Sequence, residues 1–143
     1  MRVEKCIVIQ RPVEEVYAFV TDMRNVTRWT PATEIRQVDK GPLCVGKRYV
    51  QAGEFFNRRM ELTTEVTEYQ PPSVFAFKAI AGPVPLSTKM LFTSIPQGTQ
   101  VTMIGEGEPG PLFKLAGPLL TLVLRKQIDT QLDVLKRLLE EKE

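Results

Sequence analysis

Few residues in this chain are able to do chemistry, and the most telling feature is an absence: there is no histidine. That excludes a Ser-His-Asp or Cys-His nucleophilic arrangement and removes the commonest general base near neutral pH. Cys6 and Cys44 are the only cysteines and lie far apart in sequence, so a metal would have to rely on carboxylates, and no metal site is expected. The Gly-x-Gly at 105–107 ends a strand-like run and is followed by Pro109 rather than a helix start. It does not read as a phosphate loop, and no cofactor is expected. Catalysis would therefore need Asp, Glu, Lys, Tyr or Cys turned inward. Tyr49 is one candidate, because a buried phenol can donate to a ligand carbonyl. Glu54 is another, as an acid near a pocket mouth. The plainer readings are a core aromatic with its hydroxyl near the rim for Tyr49, and a solvated carboxylate for Glu54. Cys44 reads as an inert thiol in a turn.

A second group is suited to binding. By strand alternation Met60, Met90 and Met103 share a face with Phe77 and Phe92. Such a set can form an adaptable wall for a planar or acyl ligand, or equally fill a tight core. Thr64, Thr88 and Ser94 fall on that face too, where they would orient a ligand or bond to backbone. Trp29 would cap the pocket or plug a corner beside short helices.

These residues need elements to hold them. Lys5 to Ile9 reads as a first strand. Pro12 suits a first helical turn, Glu14 and Glu15 favour the helix N-terminus, and Val13, Val16, Tyr17 and Val20 face inward at helical spacing. Asp22 reads as the N-cap of a second short helix to about Arg28, stopped by Thr30-Pro31. Strands are predicted over Thr33–Val38, Gly46–Ala52, Arg59–Tyr69, Val74–Ile80, Leu86–Ile95 and Thr99–Gly107. In Arg59–Tyr69, Met60, Leu62, Thr64 and Val66 alternate against charged or polar neighbours. Pro96-Gln97-Gly98 marks a tight hairpin. From Leu124 through Ile128, Leu132, Leu135 and Leu139 the apolar steps are 4, 4, 3 and 4, one helical face. A helix from Pro118 to about Glu141 would span roughly 36 Å, enough to lie across a small sheet.

The expected architecture is α+β: an antiparallel sheet of about seven strands, apolar on one face, closed by that long C-terminal helix. In an antiparallel meander the turns alternate between ends. The tips at 53–58 and 81–85 and the exit at 108–111 should therefore share one end. That end carries Phe55, Phe56, Pro83, Val84, Pro85, Leu112 and Phe113, which would close a pocket, meet a membrane surface or form a dimer contact. Gly117-Pro118 implies either a hinged segment at 112–116 or a staggered helix start. Residues 119–124 are apolar almost all round. Leu120 would line the cavity, while Leu119 and Leu122 need another partner, a second copy or the 55–56 tip.

At 143 residues, with 43% hydrophobic and 25% charged residues, the chain is expected to be one ordinary globular domain over 1–143. A net charge of +2 is too mild to argue for nucleic acid. No stretch reaches the ~20 apolar residues of a transmembrane helix, and nothing before Val3 resembles a signal peptide, so a soluble, cytoplasmic protein with free thiols is expected.

Local motifs narrow the fold. Ile9-x-x-Pro12-x-Glu14-Glu15-Val16-Tyr17, then Asp22 and Trp29-x-Pro31, resemble the opening of the polyketide cyclase/dehydrase and lipid-transport branch of the START-like, helix-grip superfamily. Gly46-Lys47-Arg48-Tyr49, the Glu68-to-Pro72 turn before Phe75-Ala76-Phe77, Gly98-Thr99-x-Val101-Thr102 and Leu132-x-x-Leu135-Lys136-x-x-Leu139-Glu140 extend the likeness along the chain. The resemblance implies a strongly curved sheet gripping the last helix around an internal cavity for apolar molecules. It does not imply one chemistry. Three functions stay open: a non-enzymatic carrier of a lipid, isoprenoid or aromatic polyketide; an aromatase, cyclase or dehydrase; and a protein-interaction module using Leu119, Leu122 and Phe55-Phe56 at the hydrophobic mouth as a contact patch. Partners beyond a small hydrophobic molecule would be a second copy in a homodimer or, transiently, a membrane surface. The candidate ligand-binding residues are Trp29, Tyr49, Phe55, Phe56, Met60, Phe77, Thr88, Met90, Phe92, Met103, Phe113 and Leu120.

Overall fold

Alternation begins at the N-terminus: Arg2, Glu4, Cys6 and Val8 are exposed while Val3 and Ile9 are buried, which gives β1 (Arg2–Ile9) one covered face. In this computed structural model, residues 1–55, 58–82, 85–107 and 117–141 are described, with the backbone alone at 55, 117, 118 and 120. β1 starts three residues earlier than its β-branched run suggests. Arg2 pairs with Glu106, and the Met1 ammonium donates to Gly107 O at 2.8 Å.

Two short helical pieces follow. α1 (Val13–Thr21) begins just after Pro12, which holds φ −60° and ψ 148°. It buries Val16, Tyr17, Phe19 and Val20. The Asp22 carboxylate accepts from Arg24 N at 3.0 Å and caps a 3₁₀ turn, Met23–Asn25, that leads into α2 (Val26–Trp29). Thr30 ends α2, its N–H donating to Val26 O at 3.1 Å.

The remaining strands are β2 (Ala32–Gln37), β3 (Arg48–Phe55), β4 (Arg58–Gln70), β5 (Val74–Ala81), β6 (Leu86–Ile95) and β7 (Gly98–Gly107). They form a seven-stranded antiparallel sheet in the order β1-β7-β6-β5-β4-β3-β2. Residues 53–55, expected in a turn, belong to β3. Gly53 allows this, because a Cβ there would run into Pro31 O where β2 enters the sheet. The β6–β7 hairpin turns on Pro96-Gln97, with Ile95 opposite Gly98 at φ +140°. Register shifts at Ala32/Glu34, Thr63/Thr64 and Val66/Glu68 interrupt the pairing of β2 with β3 and of β4 with β5. Bulges of this kind bend strands, which suits a sheet that curves around a helix.

α3 (Gly117–Glu140) lies against the inner face, with Pro118 in its first turn. Leu124, Ile128, Leu132, Leu135 and Leu139 are all buried. Its C-terminal end is latched to the β1–α1 corner. Arg11 Nε donates to Leu139 O at 2.8 Å, Lys136 Nζ to Val8 O at 2.6 Å, and Gln10 N to the Glu140 carboxylate at 2.9 Å. The alternating turns bring the β3–β4 and β5–β6 connections and the end of β7 to one end of the sheet. The proposed hinge at 112–116 and the side chains of Phe55, Phe56, Pro83, Val84, Leu112, Phe113 and Leu120 lie outside the described residues. No described helix is long and apolar enough to cross a membrane.

Candidate functional site

Between α3 and the half of the sheet nearest the β3–β4 tip, the chain leaves a cavity of about 130 Å³. Its walls follow from register. Thr88 on β6 faces Phe77 on one side and Gly105 on the other, while Thr64 on β4 sits between Tyr49 and Ala79. Small inward residues thus fall side by side on neighbouring strands, and α3 cannot fill the space they leave. One step along, Met90 opposes Met103, and the two form the cavity floor with Phe75. α3 contributes Leu124, Gln127, Ile128 and Gln131, and the α2 corner contributes Trp29, Thr30 and Pro31.

Of the residues singled out from sequence, Trp29, Tyr49, Phe77, Thr88, Met90 and Met103 come together around this cavity. Met60 and Phe92 do not. Both point inward as alternation requires, but depth along the strand places them elsewhere. Met60 sits on the overhang of the β3–β4 hairpin, since β5 pairs with β4 only from Thr63, and it packs against Val26, Ala32 and Leu62. Phe92 lies level with Val101 towards the latched end, its ring edge-on to Tyr17 with centroids 5.1 Å apart. Ser94 is exposed near the hairpin turn. Glu54 is exposed on the outer face of β3 and does not border the cavity.

Tyr49 is 4% exposed, and its hydroxyl makes no hydrogen bond among the described residues. Burial pushes its pKa up, with a smaller upward contribution from the Cys44 thiol. The phenol therefore stays neutral, a donor or acceptor rather than a base. Gln51 Nε2 donates to Thr64 Oγ1 at 3.3 Å across the β3–β4 pair. No described residue of the lining is charged. Among the described residues no group of three His, Cys, Asp or Glu is placed to hold a metal ion. Cys6 and Cys44 are exposed and unpaired.

Sequence reasoning missed Gln51, Gln127 and Gln131. The last two stand at i+3 from Leu124 and Ile128, on the flank of the apolar stripe of α3. They are uncharged positions in a helix whose outer face is otherwise rich in Arg, Lys and Asp, and that was the signal available.

Solved structures with this architecture share little sequence with the chain. TTHA0849 from Thermus thermophilus superposes with a TM-score of 0.78 at 18% identity, covering 96% of this chain and 94% of that one. The aromatase/cyclase ZhuI from a Streptomyces species gives 0.80 at 15% identity, covering 98% and 93%. The di-domain ARO/CYC protein StfQ of the steffimycin biosynthetic pathway gives 0.81 at 13% identity, covering 98% of this chain and 51% of that one. At such identities the likeness is one of fold, the helix-grip arrangement of curved sheet and closing helix. No curated protein matches the chain by sequence. The family model described as polyketide cyclase/dehydrase and lipid transport matches residues 1–140, and the chain belongs to that family.

Proposed function

We propose that the chain binds or carries a small, mostly apolar molecule in the cavity between its sheet and α3. The observation that carries this reading is the wall itself: Trp29, Phe75, Phe77, Met90, Met103 and Leu124 around a partly open hollow, with no charged residue in the described lining. Family membership supports a hydrophobic-ligand-binding or polyketide-processing role. Apolar contacts supply affinity here, and thioether side chains adapt to shape.

A ligand present at 100 times its Kd adds roughly 2.7 kcal/mol of stability. A thermal-shift screen of small aromatic and acyl compounds, with native mass spectrometry of the purified protein, should therefore return binders that raise Tm by several degrees. Thr88→Leu fills the cavity from β6 and should remove that shift while the protein stays folded. Absence of any binder, or a shift untouched by Thr88→Leu, would sink the proposal.

A second reading, an aromatase, cyclase or dehydrase, is favoured by one observation: the unbonded Tyr49 hydroxyl at an apolar cavity, placed to polarise a substrate carbonyl. Size weighs against a fused-ring substrate. A cavity of about 150 Å³ accommodates benzene, and this one is about 130 Å³. Turnover unchanged in Tyr49→Phe would remove the assignment.

A further inference from the structure

The sheet ends in two edge strands, β1 and β2, and they are treated differently. An open edge presents unpaired N–H and C=O groups to any strand that can meet them, and proteins blunt such edges with lysine, proline or a covering element. β1 is blunted in this way. α3 lies along it, Lys136 Nζ donates to Val8 O at 2.6 Å, and Lys5 pairs with Asp129 at 3.3 Å. β2 has neither lysine nor proline over Ala32–Gln37. Thr33, Glu34, Arg36 and Gln37 are exposed, and Val38, just beyond, is 47% exposed.

Register shows which backbone groups are free. In an antiparallel ladder alternate residues direct both backbone groups to the same neighbour. Val38 N donates to Arg48 O at 3.0 Å, so Val38, Arg36 and Glu34 face β3. The other side of β3 agrees. Lys47 O accepts from Val66 N at 2.9 Å, which gives Tyr49 and Gln51 to β4 and leaves Val50 and Ala52 for β2. Ile35 and Gln37 therefore direct their N–H and C=O groups outward, and no other described element meets them. The register shift at Ala32/Glu34 stops short of both.

Charge selects the strand that fits. Ile35 lies opposite Gln51, which lines the cavity, so Glu34 and Arg36 stand on the outer face. Among the described residues neither takes part in an ion pair. Two copies of β2 meeting about a two-fold axis place the same residues opposite each other twice. Centred on Ile35, Glu34 of each copy lies directly opposite Arg36 of the other. Centred on Glu34 or Arg36, like charges face each other. Centred on Gln37, the strands barely overlap, because β2 ends there. Facing opposite charges stabilise a strand pair and facing like charges weaken it. The Ile35 register also lets the two Ile35 residues exchange both backbone bonds, with Gln37 meeting Thr33 of the second copy.

We infer that β2 pairs with β2 of a second copy of the chain, antiparallel about Ile35, joining two sheets into one. This surface lies apart from the cavity, and the inference stands whether or not the cavity binds a ligand.

One short strand from each side makes a small interface, so the dimer is weak. Sedimentation velocity from about 10 µM to 1 mM, a range suited to such an interface, should show wild-type protein passing from monomer to dimer. Glu34→Arg sets arginine against Arg36 and should weaken dimerisation at least about tenfold, and Arg36→Glu should do the same. Mixed in equal amounts, these two variants should recover a mixed dimer, because every facing pair is again glutamate with arginine. Gln37→Pro removes an outward N–H that β3 does not use, and should abolish the dimer while the urea midpoint holds. Exchange of the Ile35 amide should slow as wild-type concentration rises. If a charge variant fails to fold, Gln37→Pro and the Ile35 exchange decide. Wild-type protein that stays monomeric at the top of the range, or a dimer indifferent to these substitutions, would overturn the inference.

Discussion

The two ends of α3 meet the same sheet in opposite ways. At the C-terminal end Leu135 and Leu139 are fully buried, against a sheet and corner whose Ile9, Val16 and Val101 are buried as completely. Polar bonds from Arg11, Gln10 and Lys136 tie that end down. Towards the N-terminal end Leu124 and Ile128 face a cavity, and Leu119 and Leu122 are 63% and 61% exposed. The difference originates in the sheet. Near the latch the inward residues are Val101 and Phe92; near the cavity they are Gly105, Thr88, Ala79 and Thr64. Gly105 sets the limit of approach, since a Cβ there would stand 3.1 Å from Ile128 Cδ1. A single helix thus serves as core at one end and as pocket wall at the other, and the packed end anchors it.

The comparison breaks first at the packed end. Leu135→Ala should cost about 3 kcal/mol in urea unfolding, because Leu135 sits in tight packing that relaxes little around a new void. A loss below about 1 kcal/mol would mean that this end is no better packed than the other.

Tyr17 sharpens the contrast through pH. Its hydroxyl donates to Val74 O at 2.8 Å, and burial, then the neighbouring Tyr69, pushes its pKa up to about 12. An unfolded tyrosine ionises near 10, so above that pH the unfolded chain releases its proton before the folded one does. Stability from this group is therefore complete below about pH 10 and declines as pH rises towards 12. Tyr17→Phe should cost about 1 kcal/mol at pH 8 and should flatten the decline between pH 10 and 12 measured by denaturant titration. An unchanged alkaline decline in the variant would assign it to other groups.

The smallest effect belongs to the exposed end. Leu122→Ala should change stability by less than about 0.5 kcal/mol. A larger loss, together with a shift in mass by light scattering, would show that Leu122 is covered by a second copy in solution.

Much of this was legible beforehand because the relevant signals are local. Alternation along β4, the Asp22 cap, the Thr30-Pro31 stop and the leucine spacing of α3 each depend on a few neighbouring residues. Together they are enough to mark seven strands along the chain and to place the long helix, but not to show that β1 pairs with β7 at the far end of the sequence. Six of the candidate site residues also meet at the cavity, since parity decides which face a strand residue takes. Parity does not decide depth. Met60 and Phe92 had the right face and the wrong level, one on a hairpin overhang and one beside Tyr17.

Local pattern settles that there is a sheet with one greasy face and a helix to cover it, because hydrophobic periodicity is written along the chain. It does not settle where the covering fails. The hollow arises only when register sets Gly105 beside Thr88, and Ala79 beside Thr64, across strands distant in sequence. That the Trp29 indole is unpaired among the described residues is likewise invisible until the fold brings its surroundings together, since a missing hydrogen bond is a property of neighbours in space and not of the residue that lacks it.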